Sequence, residues 1–303
     1  MFLDASDYEE KISAEARRIV ELLDRELIPM FEQRLGQVMD LDGDQRLSLL
    51  LTSQLSEMAP QENVGAVPLR GLTWSEDFHP ESRLGNHADL IYLNIDLPTG
   101  EGLRSLLQHE LTHAIFFAAQ VERSHSQSQE DWLSEGLAHL AETWKNQDSS
   151  NWGTRLEAFN AQTAEYPLVV PSYAQAGLWR NPGCRGATFQ FLSWCEACCG
   201  EKLGQDLLQA SGTGPARLET ATGIPFPDLF RLWSCAAVLT PERLPTDRGK
   251  HEPQSPRLLD YHAHETRELP LRGTTFQILQ LTGDAEVGIR IRGNSRMQVT
   301  LLR

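Results

Sequence analysis

The stretch SLLQHELTHAIFF, Ser105 to Phe117, sets His109 and His113 four residues apart, with Glu110 directly after the first histidine. On a helix, positions i and i+4 share one face about 6 Å apart. Two imidazoles projecting from that face can converge on one Zn²⁺, each nitrogen about 2.0–2.1 Å from the ion. Glu110 is offset around the helix from both rings. Its carboxylate can therefore reach a water at the metal without displacing it, as a general base must. The plain alternative is a pair of core histidines with ordinary hydrogen-bond partners. The neighbours weigh against it. Leu103, Leu107, Leu111 and Ile115 cover one side of this segment, while Leu106, Phe116 and Phe117 accompany the histidines. A helix apolar nearly all round is predicted to be buried. Unpartnered buried polar groups cost about 1–3 kcal/mol each, and charges cost more. A cation would partner the histidines and the glutamate together.

A catalytic zinc site takes three protein ligands and leaves the fourth position to water. A third histidine six residues after the motif, with a glycine between, is ruled out because those positions are Phe116 and Ala119. The next helical segment, DWLSEGLAHLAE from Asp131 to Glu142, offers a glutamate instead. Leu133, Leu137, Leu140 and Trp144 form its apolar stripe, and Glu135, His139 and Glu142 share another face. Taken alone, Glu135 reads as a solvated residue. Gly136 changes that, because a glycine inside a helix costs about 1 kcal/mol against alanine and marks close backbone packing. A helix pressed against the HELTH helix at Gly136 would carry Glu135 to the metal, completing a set of His109, His113 and Glu135.

Outward from these helices the chain reads as α+β. Residues 7–35 carry apolar positions at helical spacing, with Pro29 expected to kink or split the helix. DLDGDQRLSLLLTSQL reads as a turn feeding a strand, GAVPLRGLTW as a second strand and DLIYLNIDL, Asp89 to Leu97, as a third. Strand signals then vanish beyond Gln147. ATFQFLSWCEACCGEKLGQDLLQA and FPDLFRLWSCAAVL have helical spacing, with Gly200, Gly204 and Gly212 as punctuation. TPERLPTDRGKHEPQSPR is a linker by composition. In the last thirty residues Val287, Ile289, Ile291, Val299 and Leu301 alternate, predicting a small β-meander. The expected division is 1–145, 146–245 and 246–303.

The chain of 303 residues has a net charge of −15 and 40% hydrophobic residues. That balance argues against nucleic-acid partners and anionic membrane surfaces. No run of eighteen apolar residues occurs, so no membrane insertion is expected. The start, MFLDASDYEEK, is acidic where a secretory signal would be basic and then apolar, which places the protein inside unless a signal has been removed. Five cysteines, an odd number clustered late in the chain, read as reduced thiols. Those of CEACC are expected to be buried.

HELTH, with 21 residues between His113 and the Glu135 of WLSEG, resembles the gluzincin branch of zinc metallopeptidases, the thermolysin-type superfamily. With DLDGDQRLSLLL and LIYLNID ahead of them, these motifs most resemble the hyicolysin-like peptidases and their bacterial relatives. The likeness covers about 40–145 and weakens towards 240. It implies a zincin-like catalytic lobe with a mixed sheet and the HExxH helix, and a helical second lobe closing the cleft. It implies peptide hydrolysis, with His109, His113 and Glu135 holding Zn²⁺ and Glu110 activating the water as general base. An edge strand before the HExxH helix, here DLIYLNIDL, would bind an extended peptide or protein substrate by strand addition. The Gly-x-Met-Glu-Asn motif of related exopeptidases is absent, which favours an endopeptidase.

Two positions depart from the family pattern. Gluzincins often carry an acidic residue four positions after the glutamate ligand, where this chain has His139; Glu142 could take that supporting role. A tyrosine tends to stand before a Gly-Ala helix start in the second lobe, where CRGATFQF has Arg185. Arg185 could donate to the oxyanion, with Tyr173, Tyr166 and His125 as alternatives. The rival function is a zincin-like binding module without turnover, and the other rival is a metal-free protein in which HELTH is structural.

Two weaker signals remain. Asp40, Asp42 and Asp44 alternate as in a Ca²⁺ loop, but Gly43 comes early, Gln45 fills the glycine slot and Leu51 the closing position. A hairpin turn led by Asp-Gly is the expectation there. His262, in YHAHE, reads as solvated.

Overall fold

The computed structural model describes residues 1–7, 10–37, 40–58, 69–124, 130–145, 148–239, 256–262, 266–282, 290–293 and 297–302. Among them the protein is α+β, mostly helical, with a four-stranded mixed sheet and a separate two-stranded one. Two compact units interleave along the chain. Unit one comprises 1–129, 137–151 and 201–210, and unit two comprises 130–136, 152–200 and 211–303.

Unit one begins with β1 (Phe2–Leu3), α1 (Glu10–Leu22) and α2 (Ile28–Arg34). The two helices are joined through a π turn, Leu23–Leu27, and Pro29 sits in the first turn of α2, where its missing N–H costs little. The π turn follows from the apolar spacing. Ile19, Leu23, Leu27, Phe31 and Leu35 recur every fourth residue and are all buried. A strict four-residue repeat drifts around a helix of 3.6 residues per turn, and one wider turn absorbs that drift.

The sheet follows with β2 (Ser48–Leu51), β3 (Gly71–Thr73) and, after the short helix α3 (Ser75–Phe78), β4 (Leu90–Leu93). Its order is β1-β2-β4-β3, with β3 antiparallel to β4 and the other pairings parallel. DLIYLNIDL is therefore not an edge: β4 pairs with β2 on one side and β3 on the other, and the outer strands of this sheet among the described residues are β1 and β3. Leu90, Ile91 and Leu93 are all buried, the continuous apolar run that a strand covered on both faces requires.

The Asp-Gly turn is present, with Gly43 at φ 78° and Gln45 at φ 62°, but it makes no hairpin. The strand after it runs parallel to β4, so the chain entering β2 lies beside the chain entering β4, and the Ser48 amide donates to the Asp89 carbonyl at 3.0 Å. Asp89 is buried there. Desolvation pushes its carboxyl up to about 6, with the charges of Asp42 and Asp40 adding to the effect.

The remaining helices are α4 (Glu101–Ser124), α5 (Asp131–Ala141), α6 (Ser150–Ala161), α7 (Pro182–Cys199), α8 (Leu203–Gln209), α9 (Gly214–Thr222) and α10 (Phe226–Leu239). No strand occurs among the described residues from 148 to 239. In unit two, the Asn181 side chain caps α7 by accepting from the Cys184 amide, and Gly200 ends the helix at φ 96°. Gly204 does not punctuate; it lies inside α8. Phe159 stacks on Trp233, and Phe191 and Phe276 meet the same indole edge-on. Gly186 brings α7 against α6, since a Cβ there would lie 2.0 Å from the Arg155 carbonyl oxygen. Backbone cannot give way as a side-chain end can, so Gly186→Ala is expected to destabilise the protein by about 3 kcal/mol. A thermal melt should show a Tm lower by several degrees.

The C-terminal meander is corrected. Strands β5 (Leu258–His262) and β6 (Ile278–Thr282) form a parallel pair, earlier in the chain than the alternating stretch. Val287 and Ile289 lie outside the described residues, and Ile291, Val299 and Leu301 are exposed and in no strand. Among the described residues nothing covers these three side chains, and alternation without a covered face makes no strand. The five cysteines form no disulfide with one another; Cys184 and Cys195 are buried, but Cys198 and Cys199, on the last turn of α7, are exposed. The linker from Thr240 to Ser255 and His125 lie outside the described residues.

Candidate metal centre

α4 is the buried helix its composition demands, with Leu107 and Leu111 fully covered and Leu103, Ile115 and Phe116 nearly so. His109 and His113 project from one face, and their Nε2 atoms lie 3.1 Å apart. Two nitrogens bound tetrahedrally to one Zn²⁺ at about 2.0–2.1 Å would lie about 3.3 Å apart. Both histidines are buried, each 8% exposed. His113 is held by stacking on Phe117, with centroids 5.7 Å apart and planes 11° from parallel.

His109 is oriented through its other nitrogen. Its Nδ1 lies 2.7 Å from Glu142 Oε1, which leaves Nε2 as the atom that can ligate. Glu142 is fully buried and also meets His139 Nδ1 at 2.8 Å, Ser105 Oγ at 3.0 Å and Asn151 Nδ2 at 2.7 Å. Burial alone would push its carboxyl up, yet the charge of His139 and the hydrogen bonds from both histidines hold it well below the usual carboxylate range. A buried carboxylate with four donors is a satisfied anion, and here it fixes two imidazoles at once.

Glu110, 5% exposed, meets the sheet at β3. The Thr73 hydroxyl lies 3.0 Å from Glu110 Oε2 and the same distance from its backbone carbonyl. Gly71, two residues earlier on β3, lies directly under the carboxylate: a Cβ there would come within 2.7 Å of Oε1. Thr73 and Gly71 were not singled out by any motif. Their signal is a three-residue strand whose inward positions face one side chain of a helix forty residues later.

α5 passes through both units, Glu130–Gly136 belonging to unit two and Leu137 onwards to unit one. Glu135 and His139 stand one turn apart on it, each offering a ligand atom within 4.8 Å of the other. In unit one, the His139 ring lies 4.8 Å from that of His109, centroid to centroid. His139, read from the sequence only as a departure from the family pattern, thus stands among the groups able to hold a cation. Gly136 is a close-packing site as expected, but its neighbour is α7 rather than α4. A Cβ there would meet Leu192 Cδ1 at 2.9 Å and Thr188 Cβ at 3.1 Å.

Arg185, on α7, pairs with Glu135: its Nη2 lies 2.6 Å from Oε1. Tyr173 is buried, and its backbone amide donates to Asp131 at 2.7 Å. Burial pushes the Tyr173 phenol up, with Glu135 adding to the effect. The Asp131 carboxyl is pushed up by burial as well.

Within unit one the imidazoles of His109, His113 and His139, the first and last anchored at Nδ1 by Glu142, are donors of the type that suits a borderline divalent cation such as Zn²⁺. Compared with known proteins, the chain matches no protein-family model and no curated protein.

Proposed function

We propose that the chain is a zinc-dependent peptidase of gluzincin type, an endopeptidase, with His109, His113 and Glu135 as ligands and Glu110 as general base. The observation that carries this is the 3.1 Å convergence of the two Nε2 atoms on a buried helix, with the far nitrogen of His109 committed to Glu142. A bound Zn²⁺ supplies Lewis-acid polarisation of a carbonyl and acidifies water towards a pKa of about 7. The protein's part is positioning and proton transfer. Glu142 holds the His109 ring, and Thr73 holds one oxygen of Glu110. The Glu110 carboxylate takes the proton of the attacking water and delivers it to the leaving amine. Gly71 leaves space for that carboxylate beside the outer strand. An extended peptide pairs with the outer edge of β3, the one of the two outer described strands that meets Glu110, rather than with β4.

A second reading, a zinc-holding module without turnover, is favoured by one contact. Arg185 occupies one oxygen of Glu135, and a guanidinium competes with a cation for that carboxylate. Zinc content and casein cleavage decide between the two. A peptidase should carry one equivalent of zinc, cleave casein, lose cleavage to a chelator and regain it with Zn²⁺. One equivalent without cleavage selects the binding module, and no bound zinc removes both.

A further inference from the structure

The entrances to β2 and β4 bring together three carboxylates that the zinc chemistry does not use. Asp40 and Asp42 lie on the turn before β2, and Asp89 immediately precedes β4. Each offers a carboxylate oxygen within 4.8 Å of the other two. Asp40 and Asp42 are exposed, whereas Asp89 is 2% exposed and its Oδ1 is buried without a hydrogen-bond partner. Among the described residues, none of the three forms an ion pair with a lysine or arginine. Three like charges at this spacing repel one another, and a buried carboxylate oxygen with no donor is costly.

The turn itself is well ordered for holding an ion. Asp40 accepts the Gly43 amide at 2.9 Å on one oxygen and the Gln45 amide at 3.0 Å on the other, and Asp42 accepts the Asp44 amide at 3.2 Å. A carboxylate oxygen has two lone-pair sites, so these bonds fix the side chains and leave acceptor capacity. All three donors are hard oxygens, and no imidazole or thiolate stands among them. That is the ligand type of calcium, which takes 6–8 oxygens in flexible geometry and completes its shell with carbonyls and waters.

We propose that Asp40, Asp42 and Asp89 form a site for one Ca²⁺ ion at the N-terminal end of the parallel strands. Asp44, whose carboxylate accepts the Arg46 amide at 2.7 Å, takes no part. The site welds the turn to the sheet: it joins the segment entering β2 to the one entering β4, two strands that pair without a direct connection.

The test is calorimetry and thermal melting of the full chain with CaCl₂, MgCl₂ or neither, for the native protein, Asp89→Asn and Asp42→Asn. One equivalent of Ca²⁺ should bind, and at a hundredfold excess over Kd the Tm should rise by about 5 °C. Both variants should lose that rise, and Mg²⁺ should produce less of it than Ca²⁺. In the absence of calcium, Asp89→Asn should melt no lower than the native chain, because the amide removes a buried charge. Should Asp89→Asn fail to fold, the exposed Asp42→Asn carries the comparison. Absence of calcium binding by the native chain, an equal rise with Mg²⁺, or a rise retained in Asp42→Asn overturns the proposal.

Discussion

Glu110→Gln is expected to lower casein hydrolysis by about 10²–10⁴-fold while the zinc content stays at one equivalent, as zinc analysis and a fluorescent-casein assay on the same sample would show. The substitution is nearly isosteric. Glutamine keeps a carbonyl oxygen for the Thr73 hydroxyl and fits the space over Gly71, so the fold has no reason to respond. What it removes is the capacity to take a proton. Because the Glu110 carboxylate is bonded to Thr73 and is not among the proposed ligands, its loss should leave ion binding alone. Hydrolysis that survives intact would take Glu110 out of the mechanism; loss of zinc together with activity would make it a ligand or a structural group.

Glu142→Ala should have the largest effect on the protein as a whole. It deprives His109, His139, Ser105 and Asn151 of one shared acceptor in a fully buried place. Removing one partner of such a buried polar network costs about 3–5 kcal/mol, so the Tm should fall by roughly 10 °C. Zinc affinity should fall as well, by about 10–100-fold, since the ring that presents His109 Nε2 is no longer held. Glu142→Gln separates the two effects: it keeps an acceptor oxygen and the volume, and should recover more of the stability than of the affinity. Affinity unchanged in both variants would show that Glu142 supports the fold and not the ion.

The sequence made the site's helical half readable because helical geometry is local. His109, Glu110 and His113 lie within five residues, and a buried helix needs little outside information to place them. Glu142 was visible as a supporting acid for the same reason. What was missed depends on pairing between distant segments. Parallel pairing hides β4 from the solvent and brings Asp89 to Asp40, and neither fact leaves a trace within ten residues of either. The glycine at 136 announced close packing, but a missing side chain does not name its neighbour, and α7 rather than α4 fills the space. At Ile291, Val299 and Leu301 alternation did not make a strand, because period-two spacing does so only where another layer covers one face.

Glu142 gives the site one more property. The rings of His109 and His139 are held by the protein's own carboxylate, so each imidazole keeps a single aim whether or not an ion is bound at the site. If the proposed zinc site is occupied, a chain built this way would not need to reassemble around the ion, and loss and resupply of zinc would be matters of exchange at a ready-made seat.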